Sequence, residues 1–378
     1  MSKKKDKDYE RLQRFSTAIE QAGVDIFISS NEVYIRYLAG NPVDYAYVII
    51  DKNGNTYVLC SLLEFERARE ITWVDGVYGY TNVRISGDNI IFAESGYEAL
   101  KKFITEIFGE VKIGVDYNYE NYPFIDKLYN IFHKERIIDV HKYVIKERMI
   151  KSSHELELIS RAVDITINGI NYAINNINEN VSERDIYLDS EYYLKRKAGA
   201  EKVFDFLIVA SGPNSAYPHH RPSSRKFKRG DAVILDFVSS FKGYYGDLTR
   251  TLFIGHVSAE LKKIYEVVKE ALETGLDRIS SGVYAKDIDA IVRKVIDKYG
   301  YGKYFMHSTG HGIGIEVHEP PRLSSLDNTM LQENMVVTIE PGIYIPNLGG
   351  VRIEEDIVIT KSGCMILSEK LTRDLTVL

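Results

Sequence analysis

Residues 232–254 read AVILDFVSSFKGYYGDLTRTLFI, and this segment sets the architecture of the second half of the chain. Two runs rich in apolar and β-branched residues flank a short stretch that contains glycine, a pattern typical of a β-hairpin. A four-residue loop at 240–243 places Asp236 opposite Asp247. Because opposed like charges destabilise a sheet, we expect a positive group between these carboxylates.

A second segment, MVVTIEPGIYIPNLGGVRIE at residues 335–354, repeats this arrangement around a turn that contains proline and asparagine. Folding it about Asn347 brings Glu340 opposite Glu354, and Pro341 leaves the register open. A single acid in a strand is ordinarily a solvent-exposed residue. Four acids within two apolar hairpins are costly to bury unpaired, so they predict a metal site.

The nitrogen ligand of this site is predicted to be His311, within STGHGIGIEVHEPPR at residues 308–322. Its neighbouring glycines permit close approach of the backbone. They are not followed by Lys-Ser or Lys-Thr, which excludes a phosphate loop, and the prolines exclude a zincin helix. Four carboxylates and one imidazole suit a pair of divalent cations of Mn, Co, Fe or Zn type.

The first part of the chain is predicted to be a mixed α/β domain. Strand-like runs and amphipathic helical patterns alternate there, the strands at 25–29, 45–50, 56–60 and 112–115 and the helices at 9–21, 62–69 and 97–108. A boundary is predicted near residue 150, because Ser152 and Glu155 form a capping box before a long helical pattern. Further helices are predicted after Ser258 and Ala285.

Composition argues against several classes of protein. The 378 residues include 48 Lys or Arg and 54 Asp or Glu, and the net charge of −6 offers no footprint for nucleic acid or an anionic membrane. No apolar run approaches the roughly 18 residues that span a bilayer. Cys60 and Cys364 provide neither a disulfide framework nor a zinc site, which favours the cytoplasm. The lysine-rich residues 1–8 are interpreted as a solvated tail.

The order of the candidate ligands resembles that of a known family. Asp236, Asp247, His311, Glu340 and Glu354 are separated by 11, 64, 29 and 14 residues, and the flanking segments match as well. The sequence resembles the metal-dependent peptidases of the pita-bread fold, and among them Xaa-Pro dipeptidase (prolidase) and Xaa-Pro aminopeptidase. The resemblance implies an α/β (α+β) chain with a creatinase-type N-terminal domain at 1–150 and a pita-bread catalytic domain at 151–378.

The resemblance also implies a two-metal site. In it, Asp236 chelates one cation, His311 and Glu340 bind the other, and Asp247 and Glu354 bridge both. Two cations activate a shared water, polarise the scissile carbonyl and neutralise the oxyanion. Glu340 would also act as the acid/base that carries the proton to the leaving nitrogen.

Other positions resemble those that contact substrate. His219 and His318 resemble the family's substrate-binding histidines, and neighbouring His220 is interpreted as a bystander. Arg322 is a candidate for gripping a substrate carboxylate, with an ordinary salt bridge as the alternative. Three more residues resemble positions that support the ligands or relay protons, with a purely structural hydrogen bond as the alternative: His307, Tyr344 and Arg352.

One departure from the family is visible, because Glu355-Asp356 follows Glu354 where Asp-Thr is expected. The leading hypothesis is a cytoplasmic, homodimeric dipeptidase for small peptides with proline in the second position. The alternatives are an aminopeptidase for longer peptides, a metal-free creatinase-like hydrolase and a non-catalytic peptide-binding module. Methionine aminopeptidase does not explain the first 150 residues.

Overall fold

A computed structural model describes residues 7–378, and its internal contacts divide the chain after Arg148 into two units. Most of the tail predicted at 1–8 lies outside the described residues. The prediction was wrong for Lys7 and Asp8, which are both buried. The Lys7 ammonium lies 2.7 Å from a carboxylate oxygen of Asp75, and Asp8 accepts a hydrogen bond at the start of the first helix.

The first unit is a mixed sheet with helices. Its helices are α1 Tyr9–Gln21, α2 Glu32–Ala39, α3 Leu62–Ile71, α4 Gly96–Ile107, α5 Tyr122–Phe132 and α6 His141–Met149. Its strands are β1 Ile26–Ser29, β2 Ala46–Asp51, β3 Thr56–Ser61, β4 Gly76–Thr81, β5 Ile90–Phe92, β6 Ile113–Val115 and β7 Ile137–Asp139. They form one sheet in the order β5-β4-β3-β2-β1-β6-β7, in which β2 runs antiparallel to β1 and β3.

Local sequence explains most of this unit. The apolar face of α4 places Leu100, Phe103 and Ile104 in the core against the sheet. The predicted strands and helices are present with shifts of one or two residues at their ends. Strand β4 was not predicted because its GVYGYT sequence contains two glycines, and β5 and β7 are only three residues long.

The second unit contains the predicted hairpins. Its helices are α7 Ser153–Asn176, α8 Glu183–Tyr193, α9 Ala259–Arg278 and α10 Ala285–Lys298. Its strands are β8 Ile208–Ser211, β9 Ala232–Phe241, β10 Tyr244–Phe253, β11 Gly310–Gly312, β12 Glu319–Leu323, β13 Val336–Ile339, β14 Gly342–Ile345, β15 Gly349–Arg352, β16 Glu355–Thr360, β17 Gly363–Ile366 and β18 Thr376–Val377. They form sheets in the orders β18-β10-β9-β8, β12-β11-β13-β16-β17 and β14-β15.

The long helices of this unit cover its sheets. The predicted capping box starts α7, since the Ser152 side chain accepts from the Glu155 backbone and the Glu155 carboxylate accepts from the Ser152 backbone. Helix α7 packs on β9 and β10, where the Thr166 hydroxyl contacts that of Ser239 at 2.6 Å. Apolar residues of α9 and α10 form the core with β13 to β17. The predicted acidic ligands therefore lie in or next to strands whose sheets pack against helices.

The first hairpin has a different register from the predicted one. Its turn is the two residues Lys242 and Gly243, with φ of 47° and 84°, rather than four residues. These angles match the two-residue turns whose twist suits a hairpin. Asp236 therefore pairs with Thr249 and Asp247 with Val238. Because the shift is two residues, both acids remain on one face as diagonal neighbours.

The second hairpin keeps the predicted register. Gly342 pairs with Arg352 in β14 and β15, and Ile339 pairs with Glu355 in β13 and β16. Both pairings fold the chain about Asn347. Glu340 and Glu354 therefore lie level with each other, at the point where the ladder is interrupted between these strand pairs.

None of the helices in residues 7–378 is long and apolar enough to cross a membrane. Both cysteines are free, Cys60 buried and Cys364 partly buried.

Candidate metal centre

The predicted nitrogen ligand is held in place by the backbone. A Cβ atom on Gly310 would lie 2.0 Å from the carbonyl oxygen of Thr338, so β11 approaches β13 as closely as only glycine permits. The backbone N–H of His311 donates to the Thr338 hydroxyl at 3.1 Å. Its ring Nδ1 lies 3.1 Å from the carbonyl of Gly312, which leaves the lone pair of Nε2 for another ligand.

That second nitrogen faces the acids. His311 Nε2 lies 3.8 Å from Asp247 Oδ2 and 3.5 Å from Glu340 Oε1. Ligand atoms of Asp247, His311 and Glu354 all lie within 4.8 Å of one another. These three residues are buried, and together they could hold a metal ion. Asp236 and Glu340 are not part of this close group, and Arg352 donates to Oδ2 of Asp236 at 2.5 Å.

The electrostatics of the cluster favour a cation. Burial and the neighbouring Glu354 raise the pKa of Asp247 and of Glu340 well above their ordinary values. Burial and Asp236 raise the pKa of Glu354 to about 8. Burial lowers the pKa of His311 to about 3, so its imidazole is neutral and can coordinate. Carboxylates that repel one another beside a neutral imidazole fit a divalent cation as counter-charge.

Arg352 is the positive group inside the cluster. It is 3% exposed and donates from Nη1 to the Tyr344 hydroxyl at 2.7 Å and from Nε to the Thr249 hydroxyl at 3.0 Å. Tyr344 in turn lies 2.9 Å from Nε2 of His307. The three residues predicted to support the ligands therefore form one hydrogen-bonded chain that ends at Asp236.

Sequence reasoning missed Thr249. Its hydroxyl donates to Glu354 Oε2 at 2.7 Å and accepts from Arg352, so it fixes both side chains. The signal was available, since Thr249 lies two residues after Asp247 and must share its face of β10.

The departure at Glu355-Asp356 changes the surroundings of the ligands. The Asp356 carboxylate accepts from the backbone N–H of Asp247 at 2.8 Å through Oδ2. Its Oδ1 is buried and has no hydrogen-bond partner among residues 7–378. The neighbouring Glu355 forms an ion pair with Arg250 at 2.6 Å. Burial and the neighbouring Glu354 raise the pKa of Asp356 well above its ordinary value, and a nearby cation would favour its ionised form.

A cavity of about 340 Å³ opens onto the acids. Asp236, Asp247, His219 and His318 line it, together with Phe204 and other apolar side chains. The His318 ring lies 4.4 Å from that of His311 and 5.9 Å from that of Phe204, between centroids. The structure thus brings both predicted substrate histidines to the same cavity as the acids.

The remaining predicted residues lie around this site. Arg322 is exposed, and its backbone pairs with His311. Burial, followed by the charge of Arg322, lowers the pKa of His318. His307 contacts Glu340 at 3.9 Å in addition to Tyr344. His220 lies 3.0 Å from the buried Glu183 and does not line the cavity.

This fold and site define a class of protein, a metallopeptidase. Residues 157–361 match the model of metallopeptidase family M24, and residues 11–150 match the creatinase/prolidase N-terminal domain. The chain belongs to family M24, and its predicted family, fold class and class of enzyme are confirmed.

Individual relatives are Xaa-Pro peptidases. The Xaa-Pro dipeptidase of Pyrococcus horikoshii is 34% identical over 365 residues, which cover 96% of this chain and 97% of that one. The solved Xaa-Pro dipeptidase of Bacillus anthracis has a TM-score of 0.86 at 33% identity, covering 98% of this chain and 99% of that one. An X-Pro aminopeptidase of Thermotoga maritima has a TM-score of 0.85 at 31% identity, covering 96% and 100%.

Proposed function

We propose that this protein is an Xaa-Pro dipeptidase that hydrolyses dipeptides with proline in the second position. The observation that carries the proposal is the buried acid and histidine cluster at the cavity that His219 and His318 line. Curated relatives named Xaa-Pro dipeptidase that match nearly the whole chain supply the substrate class. A volume of about 340 Å³ is at the small end of the range for small-molecule sites, roughly 300–1,000 Å³.

Asp236, Asp247, His311, Glu340 and Glu354 are the residues we propose as ligands of two divalent cations, Mn or Co ahead of Zn or Fe. When bound, such ions would supply Lewis acidity toward the scissile carbonyl and lower the pKa of the attacking water. The protein itself holds these ligands in positions and protonation states that favour metal binding. It holds His311 neutral by burial and fixes Glu354 through Thr249.

Glu340 is our candidate for the acid/base. Burial and Glu354 raise its pKa, which favours uptake of a proton by this carboxylate and its release to the leaving nitrogen. Its Oε2 lies 3.9 Å from Nδ1 of His307, whose Nε2 contacts Tyr344. This chain of contacts orients the carboxylate during the transfer.

His219, His318 and Arg322 are our candidates for substrate contacts. Both histidines face the cavity and can donate to a substrate oxygen. Arg322 is exposed and carries its positive charge near them, which suits the terminal carboxylate of a dipeptide. That carboxylate is what distinguishes a dipeptide from the N-terminus of a longer chain.

Cleavage of longer Xaa-Pro peptides is the second candidate function. It is favoured by the solved X-Pro aminopeptidase of Thermotoga maritima, whose TM-score of 0.85 is nearly that of the dipeptidase.

The test is a peptidase assay on chelator-stripped protein, with and without added Mn or Co. Gly-Pro, Ala-Pro and a longer Xaa-Pro peptide are the substrates, and Gly-Gly is the control without proline. Metal-dependent release of amino acid from the two proline dipeptides alone is the expected result. Cleavage of the longer peptide would move the assignment to the aminopeptidase. Failure of metal-loaded protein to cut either kind would overturn both.

Three further features belong to this proposal: a homodimer, a cytoplasmic location and a domain boundary at 150/151. The family resemblance supports the dimer, and the free thiols of Cys60 and Cys364 suit a reducing compartment. The division of contacts after Arg148 supports the boundary. Light scattering, fractionation of the source cells and limited proteolysis of the whole chain test them in turn.

A further inference from the structure

The first unit contains a second cavity, open to solvent and about 330 Å³ in volume. Its lining includes residues of strands β2 and β4 and of the first turns of helices α4 and α5. Five of the thirteen residues that line it are aromatic: Tyr45, Tyr47, Tyr80, Tyr97 and Phe124. Among residues 7–378, no Lys, Arg or His lines it.

The aromatic rings stand close together around this opening. The ring centroid of Tyr47 lies 6.2 Å from that of Tyr97 and 5.9 Å from that of Phe124. Tyr80 reaches the same place, since a Cβ atom on Gly96 would lie 2.9 Å from the Tyr47 hydroxyl and 3.0 Å from the Tyr80 hydroxyl. A cation within about 6 Å of such ring faces is attracted by their quadrupoles.

The charges around the cavity are negative. Asp44 lines it, and its carboxylate has no hydrogen bond or ion pair within the described part of the chain. Near these rings, the buried Glu120 accepts hydrogen bonds from Ser29, Ser30 and Asn31 and has no cationic partner among residues 7–378. After burial and the neighbouring tyrosines, Glu120 contributes to raising the pKa of Tyr47 above its ordinary value.

The tyrosine hydroxyls add an acceptor surface. Those of Tyr47, Tyr80 and Tyr97 have no hydrogen-bond partner among residues 7–378. The cavity therefore combines unpaired hydroxyls, aromatic rings and a carboxylate. This combination favours a ligand that is positively charged and partly apolar. They disfavour phosphate or carboxylate ligands, which Asp44 would repel.

We propose that this cavity binds an alkylammonium group against the rings of Tyr47, Tyr80 and Tyr97, with Asp44 as the counter-charge. The ligand class is a small organic cation whose methyl or methylene groups contact the rings. Aromatic rings together with a nearby carboxylate are the usual recognition of such groups.

The test compares choline with 3,3-dimethylbutan-1-ol, a neutral molecule of the same shape, by calorimetric titration into the metal-loaded full-length protein. Metal loading neutralises the acid cluster of the second unit, which could otherwise attract the cation. We expect choline to bind about tenfold tighter than the alcohol. Asp44→Asn and Tyr97→Leu should each weaken choline by about fivefold, whereas Tyr97→Phe keeps a ring face and most of the affinity.

Tyr9→Leu is the matched control, because Tyr9 is a 59% exposed tyrosine of the same unit that does not line the cavity. It should leave choline binding unchanged. Equal affinity for choline and the alcohol would overturn the proposal, as would choline binding that Asp44→Asn and Tyr97→Leu do not weaken. Since Asp44→Asn and Tyr97→Phe are nearly isosteric, the comparison stands even if Tyr97→Leu fails to fold.

Discussion

Arg352 is a buried positive charge among the acids of the proposed metal site. It is 3% exposed and reaches Asp236 at 2.5 Å, and carboxylates with raised pKa surround it. We expect Arg352→Met to destabilise metal-free protein by about 3–5 kcal/mol, the cost of leaving buried charges unpaired. In protein saturated with Mn, the loss should be smaller because the metal offsets part of the same charge. Urea unfolding with and without metal measures both.

The control for this prediction is Arg225→Met. Arg225 pairs with Asp231 at 2.6 and 2.8 Å and contacts none of the proposed ligands. Its replacement should cost the same free energy of unfolding with or without metal. An equal loss for Arg352→Met in both conditions would contradict a role of Arg352 as counter-charge.

Glu340→Gln separates activity from stability. The amide keeps the size of the side chain but cannot accept the proton, so kcat on Ala-Pro should fall by about 100-fold or more. The same change removes one of several carboxylates that repel each other, so metal-free protein should unfold at higher urea concentration at pH 8. Steady-state kinetics test the predicted loss of kcat, and urea unfolding tests the predicted gain in stability. An unaltered kcat in the Glu340→Gln variant would remove Glu340 from the chemistry.

The hairpin turn at Lys242 and Gly243 fixes the position of both aspartates. Gly243 has φ of 84°, a conformation in which a side chain is strained, so Gly243→Ala should cost about 1 kcal/mol or more. Lys242 has φ of 47°, which asparagine tolerates better, so Lys242→Asn should be neutral or slightly stabilising. The free energy of unfolding in urea measures both changes. Destabilisation by Lys242→Asn would argue against this turn.

These two hairpins also show how far the sequence predicts the site. Alternation along strands predicted that Asp236 and Asp247 share a face, and an error of two residues in the register did not alter that. Pairing about Asn347 correctly placed Glu340 level with Glu354. The predicted turn was too long because a loop of four residues was assumed, whereas Lys242 and Gly243 adopt the positive φ angles of a two-residue turn.

What the sequence did not predict are contacts between segments distant in the chain. Thr249 bonds to Glu354 across 105 positions, and Arg352 bonds to Asp236 across 116. Local periodicity carries no information about such pairs. The second cavity is a similar case, since Tyr47, Tyr80 and Tyr97 meet only when β2, β4 and α4 are assembled.

The stability of the metal-free molecule should fall as pH rises above neutrality, and bound metal should remove this dependence. The folded pKa of Glu354 is about 8 against an ordinary 4.5, so between these values folded protein binds more protons and stability falls as pH rises. His311 acts oppositely between its folded pKa of about 3 and the ordinary 6.5, where stability rises with pH. The two effects oppose each other below pH 6.5, and only the carboxylate remains above it.

Metal-free protein should therefore lose stability between pH 6.5 and 8, by about 1.4 kcal/mol per pH unit for each such carboxylate at most. Saturating Mn should abolish this decline, because a bound cation favours the ionised carboxylates that repulsion otherwise penalises. Urea unfolding at pH 6.5, 7 and 8, in chelator and in Mn, measures the slope. Glu354→Gln removes one of the titrating carboxylates and should make the metal-free slope smaller. A metal-free stability that is constant or rises over this range would mean that the acids of the cluster are not held as like charges, and the case for a cation there would lose its electrostatic basis.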